Sequence, residues 1–212
     1  MSGLSEKNDA DIFLAGEYDV VVVGAGHAGC EAALAAARLG VSTLLVTLSM
    51  DSVAMAPCNP SIGGPAKGVI VREIDAMGGA MAKITDQTQI QIRLLNTSKG
   101  AAVQALRAQI DKKAYQRAML AYLQAQAGLD LKQGEVTDII TKDGAVAAVR
   151  LRTGAVYNCR RLVLTSGTYL KGNVIMGSCA YPSGPAGYPP ASYLSDSLTS
   201  LGLKLGLCRL MP

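Results

Sequence analysis

The first clear hydrophobic pattern in the chain is an unbroken valine run at residues 20–23. A continuous apolar run of this kind predicts a strand that is buried on both faces. An alanine-rich segment at residues 30–39 then predicts a helix that ends at Gly40, and residues 41–46 predict a second buried strand. These segments predict a strand–helix–strand unit, which is the building block of a parallel sheet.

The turn between the first strand and the helix carries the spacing G-x-G-x-x-G. Gly24 allows a tight turn, Gly26 has no side chain to block an approaching pyrophosphate, and Gly29 allows the helix and strand to pack closely. Phosphates would then meet free N–H groups at the positive end of the helix. In this context the spacing predicts dinucleotide binding rather than a bare structural turn. The candidate cofactor-binding residues of the turn are Gly24, Ala25, Gly26, His27, Ala28 and Gly29.

The end of the second predicted strand departs from the usual dinucleotide pattern. An Asp or Glu that holds a ribose hydroxyl is expected there, but the chain has Thr47, with Asp51 four residues later. Because a threonine hydroxyl can also bond a ribose, the departure weakens the prediction without cancelling it.

The middle of the chain alternates between breaker-rich and periodic segments. Prolines and glycines at residues 49–68 predict an irregular loop, and residues 67–81 predict a helix that is stopped by two glycines. Residues 85–93 alternate polar and apolar positions, which predicts a short strand, and residues 96–100 predict a polar turn. Residues 101–127 predict one long amphipathic helix.

The last third of the chain is rich in strand patterns. Residues 131–140, 145–151 and 155–159 predict an antiparallel meander, because Asp-Gly and Thr-Gly pairs separate them. Such a meander is typical of flavin-binding rather than nicotinamide-only Rossmann domains. The chain then returns to the sheet and ends that strand in Thr165 and Gly167, small residues that allow the backbone to approach a cofactor. We therefore predict an α/β fold: a Rossmann-like FAD-binding domain over residues 18–212, with a parallel central sheet and an inserted antiparallel β-meander, after a flexible segment at residues 1–17.

Composition narrows the class of protein. The chain has 212 residues, half of them apolar, and a formal net charge of +4, which suits one domain and only a mildly basic surface. With one Phe and no Trp there is little aromatic surface for stacking bases.

The first 17 residues do not resemble a signal peptide and no apolar run reaches 18 residues, so we expect a soluble cytoplasmic protein with no membrane partner. Five cysteines without C-x-x-C spacing and a single histidine predict neither a metal site nor a disulfide framework.

Cys58 is the candidate reactive thiol. It lies in the loop Pro57-Cys58-Asn59-Pro60, after the second predicted strand, where such folds place cofactors. A rigid loop is a suitable mount for a catalytic nucleophile, and the alternative is a half-buried cysteine that only packs. No neighbouring histidine is available to activate the thiol, so the residues alone leave both interpretations open.

Several motifs in order carry a resemblance to a known family. They are Val-Val-Gly-Ala-Gly-His-Ala-Gly-Cys-Glu-Ala-Ala at 22–33, Cys-Asn-Pro-Ser-Ile-Gly-Gly at 58–64, Glu-Ile-Asp-Ala-Met-Gly-Gly at 73–79, Leu-Asn-Thr-Ser-Lys-Gly at 95–100 and Thr-Ser-Gly-Thr-Tyr-Leu-Lys-Gly at 165–172. In these motifs the chain resembles the MnmG family, also called GidA, over about residues 18–205.

The resemblance implies an FAD-dependent enzyme that acts with the GTPase MnmE. Such enzymes install the 5-carboxymethylaminomethyl group on the wobble uridine of tRNA, with methylenetetrahydrofolate as carbon donor, glycine or ammonium as nitrogen donor and NADH as flavin reductant. They are homodimers. The resemblance implies that residues 24–29 hold the FAD pyrophosphate, that Val136 contacts the adenine end through its backbone, and that Cys58 is the nucleophile that adds to the pyrimidine ring.

Two departures from the family pattern stand near the carboxyl end. Pro185, Tyr188 and Ala191 replace the usual Arg, Asp and Ser, and the family's Lys-Thr-Gly-Thr-Pro-Pro-Arg run does not follow Gly206. Since family members are much longer, we expect a truncated chain without the NADH-binding insertion or the region that meets MnmE and tRNA. On this reading the chain alone is inactive on tRNA.

The sequence is also compatible with two alternatives. The chain could be an inactive or flavin-only binding fragment. It could also be a folate- and FAD-dependent tRNA uridine methyltransferase, although Thr47 and the Cys-Asn-Pro loop argue against that class.

Overall fold

The computed structural model describes residues 11–57 and 59–206. The strands are β1 (Phe13–Val23), β2 (Thr43–Thr47), β3 (Ser61–Gly63), β4 (Gln89–Leu95), β5 (Ala105–Ile110), β6 (Leu129–Gln133), β7 (Val136–Lys142), β8 (Ala145–Leu151), β9 (Ala155–Leu164), β10 (Asn173–Met176) and β11 (Cys179–Pro182). The helices are α1 (His27–Arg38), α2 (Lys67–Ala76), α3 (Met81–Thr88), α4 (Lys112–Gln124) and α5 (Leu194–Ser200), with short 3₁₀ turns at Met50–Ser52, Ala101–Val103 and Pro185–Gly187.

The main sheet has the strand order β6-β2-β1-β9-β8-β7. Strands β6, β2, β1 and β9 are parallel neighbours, whereas β7, β8 and β9 pair antiparallel. After β1, the chain adds β2 and β6 on one side of β1 and later returns to the other side as β9. The order therefore reverses at β1, and in such sheets ligands bind beyond the carboxyl ends of the strands at this point.

The valine run is buried on both faces of the sheet, as predicted. Val22 packs into a core built with α1, α3 and α4, and Val21 packs into a second core built with the meander and α5. Both valine side chains have no accessible surface. The mixed α/β fold with a mainly parallel central sheet is thereby confirmed.

The described residues form two smaller sheets besides the main one. Strands β3, β5 and β4 form a three-stranded antiparallel sheet in that order, and β10 and β11 form a separate hairpin.

None of the helices in residues 11–57 and 59–206 is long and apolar enough to cross a membrane.

The predicted single helix over residues 101–127 is wrong. The segment holds a 3₁₀ turn, strand β5 and then α4. The Asp111 carboxylate starts the helix, because it accepts hydrogen bonds from the N–H groups of Lys113 at 2.9 Å and Ala114 at 3.0 Å. Leu106, on β5, is exposed, whereas Tyr115, Met119 and Leu123 on α4 are fully buried.

Other boundaries also differ from the sequence prediction. Residues 85–88 belong to α3 rather than to a strand, and the loop at residues 49–68 contains a 3₁₀ turn and β3. Strand β1 begins at Phe13, where it pairs with Ala155, so residues 13–17 are not irregular.

The predicted strand over residues 131–140 is two strands with different partners. Strand β6 pairs in parallel with β2, and β7 opens the meander. Strand β9 contains both the predicted third strand of the meander and the predicted strand that returns to the sheet. It pairs antiparallel with β8 and parallel with β1.

Candidate cofactor site

Hydrogen bonds tie together the ends of three parallel strands. The N–H of Gly24 donates to the Val46 carbonyl at 2.8 Å, and the N–H of Thr165 donates to the Val23 carbonyl at 2.9 Å. The Thr165 hydroxyl lies 2.9 Å from the carbonyl oxygens of both Val23 and Gly24. These contacts fix the start of the glycine turn at the reversal point of the sheet.

The three motif glycines have different physical roles. Gly24 has a φ of 101°, and a Cβ there would lie 2.5 Å from the Thr165 carbonyl oxygen. A Cβ on Gly29 would lie 1.7 Å from the Gly24 carbonyl oxygen. By contrast, Gly26 has an ordinary φ of −69°, and a Cβ there would meet nothing within 4 Å. The packing of the protein itself therefore requires glycine at positions 24 and 29 but not at position 26.

The amino terminus of α1 is open to an anion. Gly26 is its N-cap residue and offers no capping side chain, and the first turn of α1 contains no acidic residue. The first bond of the helix runs from the Cys30 N–H to the Gly26 carbonyl at 2.9 Å. By helix geometry the N–H groups of His27, Ala28 and Gly29 have no acceptor within the helix, so they can bind a negatively charged group.

A cavity of about 240 Å³ lies directly beyond these strand ends. Of the predicted cofactor residues, it is lined by Gly24, Ala25, Gly26, Val136, Thr165 and Gly167. His27, Ala28 and Gly29 do not line this cavity, so their predicted contribution rests on the helix terminus alone.

Sequence reasoning missed much of the cavity wall. Further lining residues include Val46, Leu48, Met55, Tyr169 and Leu194. For two of them the available signal was their position in the sequence, since Val46 lies near the end of β2 and Leu48 directly follows that strand. Leu194 belongs to α5, which is distant in sequence. Pro185 and Ala191, two of the departures from the family pattern, also line the cavity and give its wall no charged group.

Thr47 lines the cavity at the position where an acidic residue was expected. It is buried, and its hydroxyl donates to the Ser49 carbonyl at 3.2 Å. With its hydrogen engaged there, the hydroxyl oxygen can still accept a hydrogen bond from a ribose hydroxyl.

His27 faces away from solvent at the start of α1. Its Nε2 atom is buried and has no hydrogen-bond partner among the described residues, and its ring centroid lies 5.6 Å from that of Tyr115. Burial, followed by the charge of Lys67, lowers the pKa of the imidazole. His27 is therefore neutral at pH 7, and the positive potential at this turn comes from the helix terminus rather than from a histidine charge.

Cys58, the candidate nucleophile, lies outside the described residues. The neighbouring Pro57 lines the cavity, and Ser61 begins β3. Among the described cysteines, Cys30 is buried and burial raises its pKa to about 12, so it is unsuited to nucleophilic chemistry. The described residues contain no His, Cys, Asp or Glu cluster that could hold a metal ion.

Comparison with known proteins places this site in a family. The sequence model for Glucose inhibited division protein A matches residues 19–209. The tRNA uridine 5-carboxymethylaminomethyl modification enzyme MnmG of Heliobacterium modesticaldum is 57% identical over 194 residues, which are 92% of this chain and 30% of that protein. The enzyme of the same name from Geobacillus thermodenitrificans is 56% identical over 190 residues, covering 90% of this chain and 30% of the relative.

Solved structures agree with the sequence comparison. GidA of Aquifex aeolicus superposes with a TM-score of 0.85 at 48% identity, covering 90% of this chain and 32% of that one. A GidA-related protein of Thermus thermophilus has a TM-score of 0.65 at 22% identity over 88% of this chain and 69% of its own, and shows the shared fold. The chain thus spans about 30% of the length of the curated relatives that it matches. On the match over residues 19–209, the chain belongs to the Glucose inhibited division protein A (GidA) family.

Proposed function

We propose that the chain binds FAD in the cavity beyond β1, β2 and β9, and contributes this flavin site to an enzyme that modifies a uridine of tRNA. The observation that carries the proposal is Gly26. It is exposed, has an unstrained backbone and meets no protein atom, yet it stands at the helix terminus where a pyrophosphate would approach.

The residues present fit the parts of FAD. The N–H groups at the start of α1 would hold the pyrophosphate, the Thr47 hydroxyl would bond a ribose, and the Val136 backbone would face the adenine. Thr165 and Gly167 would let the backbone approach the cofactor closely at the end of β9. The bound FAD would supply redox chemistry that no protein side chain offers.

The cavity walls suit planar rings. Val23, Val46, Leu48, Val136 and Leu194 form an apolar lining into which only a few polar groups project. The volume of about 240 Å³ is smaller than the roughly 300–1,000 Å³ common for ligand pockets, so the cavity would enclose part of a dinucleotide.

The link to tRNA rests on the relatives, whose names state a tRNA uridine modification. In this proposal Cys58 supplies a thiolate that adds to the pyrimidine ring and makes the neighbouring ring carbon nucleophilic. NADH is the proposed reductant, MnmE and tRNA are the proposed partners, and the proposed setting is a homodimer in the cytoplasm.

Replacing Gly26 with Val tests the flavin site. The new side chain would occupy the pyrophosphate position, so FAD retention should fall at least about tenfold, while the midpoint of urea unfolding stays near that of the apoprotein. Gly100→Val is the matched control, because Gly100 is also an N-cap residue, has a φ of −62° and meets nothing within 4 Å. Equal FAD retention in the Gly26 variant and the control would contradict the proposal.

Nucleoside analysis of tRNA tests the extent of the chain's own activity. The reaction contains MnmE, methylenetetrahydrofolate, glycine, GTP and NADH, and the expected result is no product from this chain by itself. Formation of the carboxymethylaminomethyl nucleoside would assign the whole reaction to these 212 residues. Cys58→Ser would then be expected to abolish that product.

A further inference from the structure

The three-stranded sheet has one polar face. In the regular part of the register, Arg93 pairs with Arg107 and Gln91 pairs with Gln109, so these four side chains lie on the same side of the sheet. All four residues are exposed. The side chains of the alternate positions, such as Leu94 and Leu106, leave on the opposite face.

Two rows of residues cross this face. One row runs Gly63, Arg107, Arg93, and the other runs Ser61, Gln109, Gln91. Gly63 has a φ of 103°, and a Cβ there would lie 2.2 Å from the Leu106 carbonyl oxygen, so the pairing of β3 with β5 itself requires glycine beside Arg107. The face therefore presents two cations and the amide side chains of Gln91 and Gln109, whereas Ser61 on β3 is buried.

The two arginines form an uncompensated like-charge pair. Directly opposed residues of an antiparallel pair have Cβ atoms roughly 4.5–5.5 Å apart, and like charges there are destabilising. Strands β3, β4 and β5 contain no Asp or Glu. Neither arginine forms an ion pair within the described part of the chain. The opposed arginines weaken the folded sheet, and an anion bound between them would explain their presence. Phosphate is a suitable anion, because paired guanidinium groups match its geometry.

We infer that Arg93 and Arg107 together form a phosphate-binding pair that positions the RNA substrate beside the flavin site. This inference rests on the proposed function for its choice of RNA. The face carries positive charge and amide side chains, which suits a sugar–phosphate backbone. The overall charge of the chain is mild, but the strand register concentrates two arginines at one place.

The position of the pair relative to the cavity supports this role. Gly63, which is opposite Arg107, is six residues after the cavity-lining Pro57. An extended chain of that length spans at most about 20 Å. An RNA held at the arginine pair would therefore lie within reach of the segment that contains the candidate nucleophile, while neither arginine lines the cofactor cavity.

The test is RNA binding by the intact chain as a function of salt. The probe is an unmodified tRNA transcript with a uridine at the wobble position, and binding is measured by fluorescence anisotropy. The Arg93→Gln, Arg107→Gln double variant should weaken binding about tenfold and reduce the slope of log K against log salt by about 1.4, which is roughly 0.7 for each lost single-strand phosphate contact. Arg93→Lys, Arg107→Lys should restore most of the slope, because the charges remain.

A charge-matched control separates this pair from general charge effects. Lys132→Gln with Lys142→Gln removes the same charge from exposed positions on the main sheet and should leave the slope unchanged. An unchanged slope in the arginine variant, an equal loss in the control, or no RNA binding by the unaltered chain would each overturn the inference. FAD content is measured on the same samples, so a loss of RNA binding with intact flavin is distinguished from failure of the flavin site.

Discussion

Gly29 packs so closely against Gly24 that a Cβ on Gly29 would lie 1.7 Å from the Gly24 carbonyl oxygen. This contact brings the first turn of α1 against the end of β1 and leaves no room for any side chain. Gly26, between them in sequence, is under no such constraint. The motif thus divides into glycines needed for folding and one glycine whose absent side chain serves a ligand.

Gly29→Ala should destabilise the fold strongly. The added methyl group would overlap backbone atoms that cannot move without separating α1 from β1, which we expect to cost about 3 kcal/mol or more. Urea unfolding, or loss of soluble protein, measures the effect, and Gly26→Ala should change the unfolding free energy by less than about 1 kcal/mol. Similar stability of the two variants would show that the helix start is not closely packed.

Thr165→Val should weaken the junction between β1 and β9. The substitution keeps the shape of the side chain but removes the hydroxyl that lies 2.9 Å from the Val23 and Gly24 carbonyls. The expected loss is about 1–2 kcal/mol of unfolding free energy, together with weaker FAD retention, because Thr165 lines the cavity. As a control, Thr88→Val removes a threonine hydroxyl that donates to the Ile84 carbonyl within α3, a helix with no residue in the cavity lining, and should spare FAD.

Glu31 holds the start of α3 from a position on α1. Its carboxylate accepts hydrogen bonds from the N–H groups of Ala80 at 2.9 Å and Met81 at 2.6 Å. Glu31→Ala leaves both donors unpaired and should cost about 2 kcal/mol, whereas Glu31→Gln keeps an acceptor and should cost less than about 1 kcal/mol. Urea unfolding that ranked the two variants the other way, or found no effect for Ala, would contradict this role.

The Tyr18 phenol should make stability depend on pH in alkaline solution. Burial, and then the hydrogen bond to Asp130, raise the pKa of Tyr18 from 10.0 to about 12. Because the folded state favours the neutral phenol, its contribution is complete below pH 10 and is lost as the pH rises from about 10 to 12. The stability difference between the unaltered chain and Tyr18→Phe, measured by urea unfolding from pH 8 to 11.5, should therefore shrink above pH 10. A constant difference over this range would mean that Tyr18 titrates at its ordinary pKa.

The elements that sequence predicted well are those with a strong local signal. The valine run has a pattern that only a doubly buried strand explains, and the motif glycines locate its end. The prediction of one long helix over residues 101–127 was wrong because this segment is rich in alanine. Alanine-rich sequence hides the change from strand to helix. Asp111 was the available signal for that change, since its carboxylate caps α4.

Features created by long-range pairing could not be predicted. The Arg93–Arg107 pair exists only because β4 and β5 align in one register, and a shift by one residue would separate the two charges. Likewise, Val46 and Leu194 meet at the cavity although nearly 150 residues separate them in sequence. The glycine turn was recognisable because its function is local, whereas most of the cavity wall is assembled by the fold.

Identification of the cofactor released from the purified chain tests the account most directly. The protein is reconstituted with a mixture of FAD, FMN and NAD, freed of unbound ligand and heated, and the released molecule is identified by mass and quantified against protein. We expect FAD in near-equimolar amount from the unaltered chain and from Gly100→Val, and little from Gly26→Val. Release of FMN or NAD instead, or of no cofactor from a chain that unfolds cooperatively, would contradict the assignment of this cavity to FAD.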